Sequence, residues 1–242
     1  AKLNDSNANA FAQAIKSALS TTPTTSGTAE SDNLTINVDS VGYYLIKDHK
    51  DDVQDENDSI TLFMLQVVGP TVVTAKAGVP TPDKKIVEGG EKVNVGDYDI
   101  GETITFELSA TLPNNFENYK TYKLIFHDTM SEGLTYTADS VVVTVSREGV
   151  TVPRHTVNSQ NVAGETLLTV TFAELANTGL KNGDTITVTY KATLNANAEI
   201  GNPGNPNKMH LEFSNNPNDE GEGDTGETPD KEVLVFTYEL DG

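Results

Sequence analysis

From Lys84 onward the chain is a succession of segments in which apolar residues alternate with polar ones. Such alternation is typical of β-strands with one buried face and one solvated face. Turn signals such as Asn182-Gly183-Asp184 separate the segments. The pattern predicts an all-β domain made of two packed antiparallel sheets. Eight segments carry it: KKIVEG, ITFELSATL, YKLIFHD, SVVVTVS, TLLTVTF, ITVTYKATL, KMHLEFS and EVLVFTYEL.

The first part of the chain has a different pattern. Residues 6–20 carry Phe11, Ile15 and Leu19 at helical spacing, which predicts a short amphipathic helix. Strand signals follow in LTINVD, GYYLIKD and ITLFMLQVV, and the run TAKAGVPTPDKK is typical of a linker. We therefore predict the C-terminal part of an N-terminal β-rich domain over residues 1–78 and a complete sandwich domain over residues 79–242.

The charge and the composition exclude several classes of protein. The formal net charge of −20 disfavours nucleic acid and anionic lipid as partners. The chain has no cysteine, which excludes disulfides and thiolate metal sites. No run approaches the roughly 18 apolar residues that a membrane-spanning helix needs, so we expect no membrane insertion of this fragment. We interpret the chain as a piece of a longer extracellular protein.

Three polar residues fall on the apolar faces of predicted strands. An inward lysine, an inward carboxyl group and an inward amide are each costly to bury alone, so their joint occurrence calls for a common explanation. We favour a spontaneous isopeptide bond between the lysine and the asparagine, assisted by the acid. Lys85 and Asn216 remain alternatives, because a β-bulge would reverse the faces. The three residues are Lys84 on the face of Ile86, Asp128 on the face of Phe126, and Asn215 on the face of Phe213.

Four segments together resemble the fimbrial isopeptide-formation domain of sortase-assembled Gram-positive pilins. They are GDYDIGETITFELSATLP, FHDTMSEGLTYTADSVVV, GDTITVTYKATLNANAEIGNPGNPNKMHLEFSNNP and the closing VFTYEL, within residues 80–240. The resemblance implies an immunoglobulin-like β-sandwich locked by a bond between a first-strand lysine and a late-strand asparagine. Carried onto this chain, the lysine is Lys84, the asparagine is Asn215, and the acid that shuttles the proton is Asp128.

Shaft subunits of that family use a second lysine, in a Val-Tyr-Pro-Lys motif, as the nucleophile that sortase joins to the next subunit. Lys76 in VVTAKAG occupies a comparable place, but the Tyr-Pro pair is absent. Lys76 is therefore either a candidate sortase acceptor or a solvated linker lysine. A position at the tip or base of the fibre stays open beside one in the shaft.

The resemblance implies a structural subunit of a pilus or fimbria on a Gram-positive cell wall, joined by sortase to other pilin subunits. The alternative is a pilus-tip or wall-anchored adhesin domain that binds host glycan or matrix protein. We expect no cofactor and no metal, because the four histidines lack any short metal-ligand spacing. A bond formed once per molecule is self-modification, so we do not expect an enzyme. An enzyme or a calcium-dependent module, suggested only by the acidic loops, is the remaining alternative.

Overall fold

The computed structural model describes residues 25–26, 36–47, 62–68, 78–217 and 224–238. Within the first part, strands β1 (Gly42–Lys47) and β2 (Leu62–Val67) form an antiparallel two-stranded sheet. This pair corresponds to two of the strands predicted there. The helix predicted over residues 6–20 lies outside the described residues.

From Thr81 onward the described chain is built of strands, with one 3-10 turn at Phe116–Asn118. The strands are β3 (Thr81–Glu88), β4 (Glu91–Val93), β5 (Val95–Asp97), β6 (Thr103–Thr111), β7 (Leu124–Met130), β8 (Leu134–Tyr136), β9 (Val142–Val145), β10 (Thr156–Val162), β11 (Glu165–Phe172), β12 (Thr185–Leu194), β13 (Asn205–Ser214), β14 (Thr225–Glu227) and β15 (Lys231–Phe236).

These strands form two sheets. The seven-stranded sheet has the order β10-β11-β7-β13-β15-β5, with β14 also paired to β13. The six-stranded sheet has the order β4-β3-β6-β12-β8, with β9 also paired to β12. Together they make the immunoglobulin-like β-sandwich that the sequence predicts.

The core lies between the two sheets and consists of the alternate residues of the long strands. In β6, the side chains of Ile104, Phe106 and Leu108 are buried, while the residues between them are partly exposed. β12 and β13 show the same alternation. Burial of one face of each strand is therefore what holds the sheets together, at roughly 25 cal/mol per Å² of apolar surface.

All eight predicted strand segments from Lys84 onward are strands in the structure. The prediction missed five further strands, β4, β5, β8, β10 and β14, of which four have only three residues. β10 is longer, but every one of its residues is exposed, so it carries no apolar alternation to detect. No helix among the described residues is long and apolar enough to cross a membrane.

Candidate crosslinking site

Lys84 and Asp128 form a buried ion pair at the centre of the sandwich. Lys84 Nζ contacts Asp128 Oδ2, and both side chains are 0% exposed. Lys84 lies on β3, where its neighbour Ile86 is also buried. Asp128 lies on the inward face of β7, together with Phe126. The alternation of each strand therefore puts its polar residue in the core, as the sequence predicts.

Two further polar residues extend this pair into a chain of contacts. The Tyr190 hydroxyl donates a hydrogen bond to Asp128 Oδ1 at 2.7 Å. The same hydroxyl accepts a hydrogen bond from Asn207 Nδ2 at 2.6 Å. Asn207 is 0% exposed, and its Oδ1 has no hydrogen-bond partner among the described residues. An amine, a carboxyl group, a phenol and a carboxamide thus follow one another in a site closed to solvent, which we call the crosslinking cluster.

The crosslinking cluster joins the two sheets. Lys84 and Tyr190 belong to the six-stranded sheet, on β3 and β12. Asp128 and Asn207 belong to the seven-stranded sheet, on β7 and β13. A covalent bond within the cluster between the lysine and the asparagine would consequently tie one sheet to the other.

Burial sets the protonation of the acid and the amine. Desolvation lowers the pKa of Lys84, against the opposing attraction of Asp128. Desolvation likewise raises the pKa of Asp128, against the opposing effects of Lys84 and Tyr190. Both shifts favour the neutral amine and the neutral acid, which are the forms needed for nucleophilic attack and proton donation.

Aromatic rings close the site around the amine. Lys84 Nζ lies 5.5 Å from the ring centroid of Phe106 and 5.8 Å from that of Tyr190. These two rings stack on each other with centroids 5.4 Å apart. Cation–π attraction to the rings favours the charged amine, but desolvation is the largest influence on the pKa of Lys84 and acts in the opposite direction.

Asn215 is not part of the crosslinking cluster. The residue of β13 that pairs with Asp128 is Met209, and Asn215 follows it six residues later, just beyond the end of the strand. At about 3.3 Å per residue the separation along the chain is about 20 Å, well beyond the reach of a lysine side chain. The backbone N–H of Asn215 instead donates to the carbonyl of Asp224. The adjacent Asn216 lies at the same end of the strand.

Lys85 faces away from the core, as regular alternation requires. Its side chain is 26% exposed, and its Nζ donates to Asn94 Oδ1 at 2.8 Å. Of the two adjacent lysines, Lys84 is thus the one that meets Asp128. Lys76 lies outside the described residues.

Sequence reasoning missed Asn207 and Tyr190. The alternation that led to Asn215 applies equally to Asn207, which precedes Met209 and Leu211 on the same face of β13. A search for every inward amide on that strand would have found it, together with Asn205. The Asn205 side chain is occupied structurally, because it bonds the Glu199 N–H, the Glu199 carbonyl and the Val235 carbonyl.

Among the described residues no group of three or more histidine or acidic side chains is arranged to hold a metal ion. The four members of the crosslinking cluster include only one carboxyl group and no imidazole.

Residues 100–217 match the family model of the Gram-positive pilin backbone subunit 2, Cna-B-like domain. Over these residues the sandwich is similar to the backbone pilins of Gram-positive bacteria. Asp128, Tyr190 and Asn207 fall inside the matched residues, and Lys84 lies before them, on β3.

The chain is also similar to the trypsin-resistant surface T6 protein of Streptococcus pyogenes serotype M6. The two are 26% identical over 193 residues, which are 69% of this chain and 33% of the T6 protein. The chain therefore spans about a third of the length of that relative.

Two solved pilin structures share the fold. The major pilin subunit BcpA of Bacillus cereus is 19% identical, with a TM-score of 0.51 over 81% of this chain and 55% of BcpA. The full-length major pilin SpaD of Corynebacterium diphtheriae is 20% identical, with a TM-score of 0.50 over 80% of this chain and 47% of SpaD. Both likenesses concern the fold alone.

Proposed function

We propose that this chain is part of a structural backbone subunit of a Gram-positive pilus, and that its sandwich locks itself with an isopeptide bond between Lys84 and Asn207. The observation that carries the proposal is a buried series of three side-chain contacts, from Lys84 to Asp128, from Asp128 to Tyr190 and from Tyr190 to Asn207. Four polar groups excluded from water would be a costly arrangement if their only role were packing. Formation of the bond replaces the buried amine and the buried free carboxamide with a single secondary amide.

The acceptor in this proposal is Asn207 in place of Asn215. Asn207 is linked to Asp128 through a single hydroxyl, whereas Asn215 lies about 20 Å along the strand from Met209, the residue that pairs with Asp128. Formation of the bond at Asn215 would require β13 to slide by several residues against β7. Such a shift would break the register in which Phe213 pairs with Leu124.

The reaction exchanges one amide for another. The neutral Lys84 Nζ attacks Cγ of Asn207 and forms the new C–N bond, and the bond between Cγ and Nδ2 breaks. One proton leaves Nζ and one proton reaches Nδ2, so the leaving group departs as ammonia. Asp128, in contact with Nζ, takes the proton from the attacking nitrogen and gives up its own acid proton toward the leaving group, so the acid is neutral before and after the reaction. No oxidant, cofactor or external energy source is required.

The fold accelerates this exchange, because it holds the reacting groups close together. Well-oriented intramolecular reactions reach effective molarities of about 10⁵–10⁸ M, which makes a sluggish amide exchange feasible once per molecule. The aromatic walls of the site exclude water, which would compete with the amine for the carboxamide. The reaction occurs once per chain, so the protein is not an enzyme in this proposal.

The crosslink suits a subunit that carries tension. It would join β3, the first strand of the sandwich, to β13, one of the last, and so bridge the two sheets. A pulling force entering near β3 would pass through covalent bonds to β13 without unravelling the strands between them. Other pilin subunits, joined by sortase on the outside of the cell, are the partners that this role implies. No observation on the described residues favours the adhesin alternative.

The test is the intact mass of the purified, denatured chain. Loss of one ammonia makes the chain about 17 Da lighter than its sequence mass, whereas hydrogen bonding alone leaves the full mass. Peptide mapping should then recover a branched peptide that contains Lys84 and Asn207. A wild-type chain of full sequence mass overturns the crosslink.

A further inference from the structure

The hydroxyl of Tyr190 lies between the acid and the leaving group of the proposed reaction. Asp128 uses different oxygens for its two partners: Oδ2 contacts Lys84 Nζ, and Oδ1 accepts from the Tyr190 hydroxyl at 2.7 Å. The same hydroxyl is 2.6 Å from Asn207 Nδ2. The attacking nitrogen and the departing nitrogen are thus connected through one carboxyl group and one phenol.

We propose that Tyr190 is a catalytic proton relay, which delivers to Asn207 Nδ2 the proton that Asp128 removes from Lys84. This inference rests on the proposed isopeptide bond. It adds a residue and a route for the proton, since the acid alone has no contact with Nδ2 among the hydrogen bonds of the site.

The relay works because the hydroxyl can reverse its hydrogen bonds. Before attack, the planar amide nitrogen of Asn207 can only donate, and the hydroxyl accepts from it. After attack on Cγ, Nδ2 becomes a pyramidal amine with a lone pair that can accept. The Tyr190 O–H then turns toward Nδ2 and transfers its proton while it takes another from the Oδ1 side of Asp128.

The proton count balances over the cycle. Asp128, starting as the neutral acid, gives its own proton from Oδ1 to Tyr190 as it accepts the proton of Nζ on Oδ2, and so ends neutral. Tyr190 gains the proton from Oδ1 and passes its own to Nδ2. The bond between Cγ and Nδ2 then breaks and ammonia leaves. Burial raises the pKa of Tyr190 well above its ordinary value, so the phenol starts and finishes protonated and serves as a carrier.

The packing around Tyr190 allows a clean test of the hydroxyl. The ring stacks on Phe106, with centroids 5.4 Å apart, and meets Tyr136 edge-on at 6.0 Å. Phenylalanine at this position would keep both ring contacts and lose only the oxygen. Tyr122 provides a matched control, because its hydroxyl is also buried but has no hydrogen-bond partner among the described residues.

The experiment follows ammonia loss by intact mass at successive times after cell-free synthesis of the full chain. Positioned proton transfer contributes about 10²–10⁴-fold to rates, so Tyr190→Phe should form the bond at least about 100-fold more slowly than the wild type. Tyr122→Phe should react at the wild-type rate. Circular dichroism checks that both variants are folded.

A second variant separates proton delivery from positioning. Difluorotyrosine at position 190 keeps the shape and the hydroxyl but makes the phenol more acidic. The relay predicts a changed rate of bond formation, whereas a hydroxyl that only positions Asn207 would leave the rate as it was. An unchanged rate in this variant overturns the relay.

The remaining outcomes are also decisive. A linked wild type together with an equally fast Tyr190→Phe overturns the relay and leaves the crosslink intact. Equal slowing by Tyr122→Phe overturns the relay as well, because removal of any buried tyrosine hydroxyl would then slow bond formation. A wild type that never loses mass overturns both the relay and the crosslink.

Discussion

Asp128 and Asn207 are diagonal neighbours on the inner face of the seven-stranded sheet. Asp128 pairs with Met209, which is two residues along β13 from Asn207, and all three side chains are buried. Diagonal partners on one face of an antiparallel pair lie close enough for longer side chains, or one bridging group, to connect them. The acid therefore stands beside one particular amide of β13, which makes the acceptor of the proposed bond testable.

Substitution of the two candidate asparagines should identify the acceptor. We expect Asn207→Ala to have the full sequence mass, because the carboxamide beside Asp128 is gone. Asn215→Ala, the matched control, should still be lighter by about 17 Da through loss of ammonia. Intact mass under denaturing conditions distinguishes the two variants, and the reverse pattern would restore Asn215 as the acceptor.

Removal of the acid should leave a folded, unlinked domain. Asp128→Asn keeps the size of the side chain and can still bond the Tyr190 hydroxyl, but an amide cannot take the proton from Lys84. We expect full mass and a native circular dichroism spectrum. Asp184→Asn, which changes an acid bonded to Arg147 outside the cluster, should keep the mass loss. A linked Asp128→Asn chain would exclude the acid from the reaction.

The crosslink should raise the free energy of unfolding, because it lowers the conformational entropy of the unfolded chain. It would close a loop of 207 − 84 = 123 residues, and a crosslink of that span stabilises by about 5 kcal/mol in the chain-entropy treatment used for disulfides. For a domain of this size we therefore expect Asn207→Ala to lower the melting temperature by roughly 10–20 °C. A reducing agent should not change the wild-type value, since the chain has no cysteine. Equal melting temperatures for the two proteins would contradict the locking role.

Glu212 should contribute to the acid sensitivity of the sandwich. Burial by itself raises its pKa, but hydrogen bonds from Lys123 and His127, both 3.0 Å long, bring the pKa below its ordinary value of 4.5. Its contribution to stability is therefore present above pH 4.5 and is lost as the pH falls through the folded-state pKa. As the pH is lowered from about 5 to about 3, we expect the melting temperature of Glu212→Gln to fall less than that of the wild type. Glu91→Gln, at an exposed residue of β4, serves as control, and parallel curves for wild type and Glu212→Gln would refute the assignment.

Lys76 remains a candidate for the bond between subunits. If it is the sortase acceptor, Lys76→Ala should stop polymer formation with the cognate sortase and keep the intramolecular mass loss, because Lys84 is untouched. The polymer is read as a ladder on a denaturing gel. Continued polymerisation of Lys76→Ala would show that Lys76 is a linker lysine.

The fold was largely readable from the sequence, because one-sided burial imposes a period of two on every long strand. That period also identified Lys84 and Asp128, each of which interrupts an apolar face. It failed for β10, whose residues are exposed on both faces. It also could not choose among the amides on β13 and directly after it, because Asn205, Asn207 and Asn215 lie at positions of the same parity.

Sequence alone therefore determined the sandwich and the inward direction of a lysine and an acid, since these depend only on neighbours along one strand. Tertiary structure decided which amide is connected to the acid through the Tyr190 hydroxyl, because that depends on the register of β13 against β7. It also decided the position of the Tyr190 hydroxyl, whereas the sequence pattern indicates only an aromatic residue of the core. Its hydroxyl becomes significant only when the packing of one sheet on the other brings it between Asp128 and Asn207.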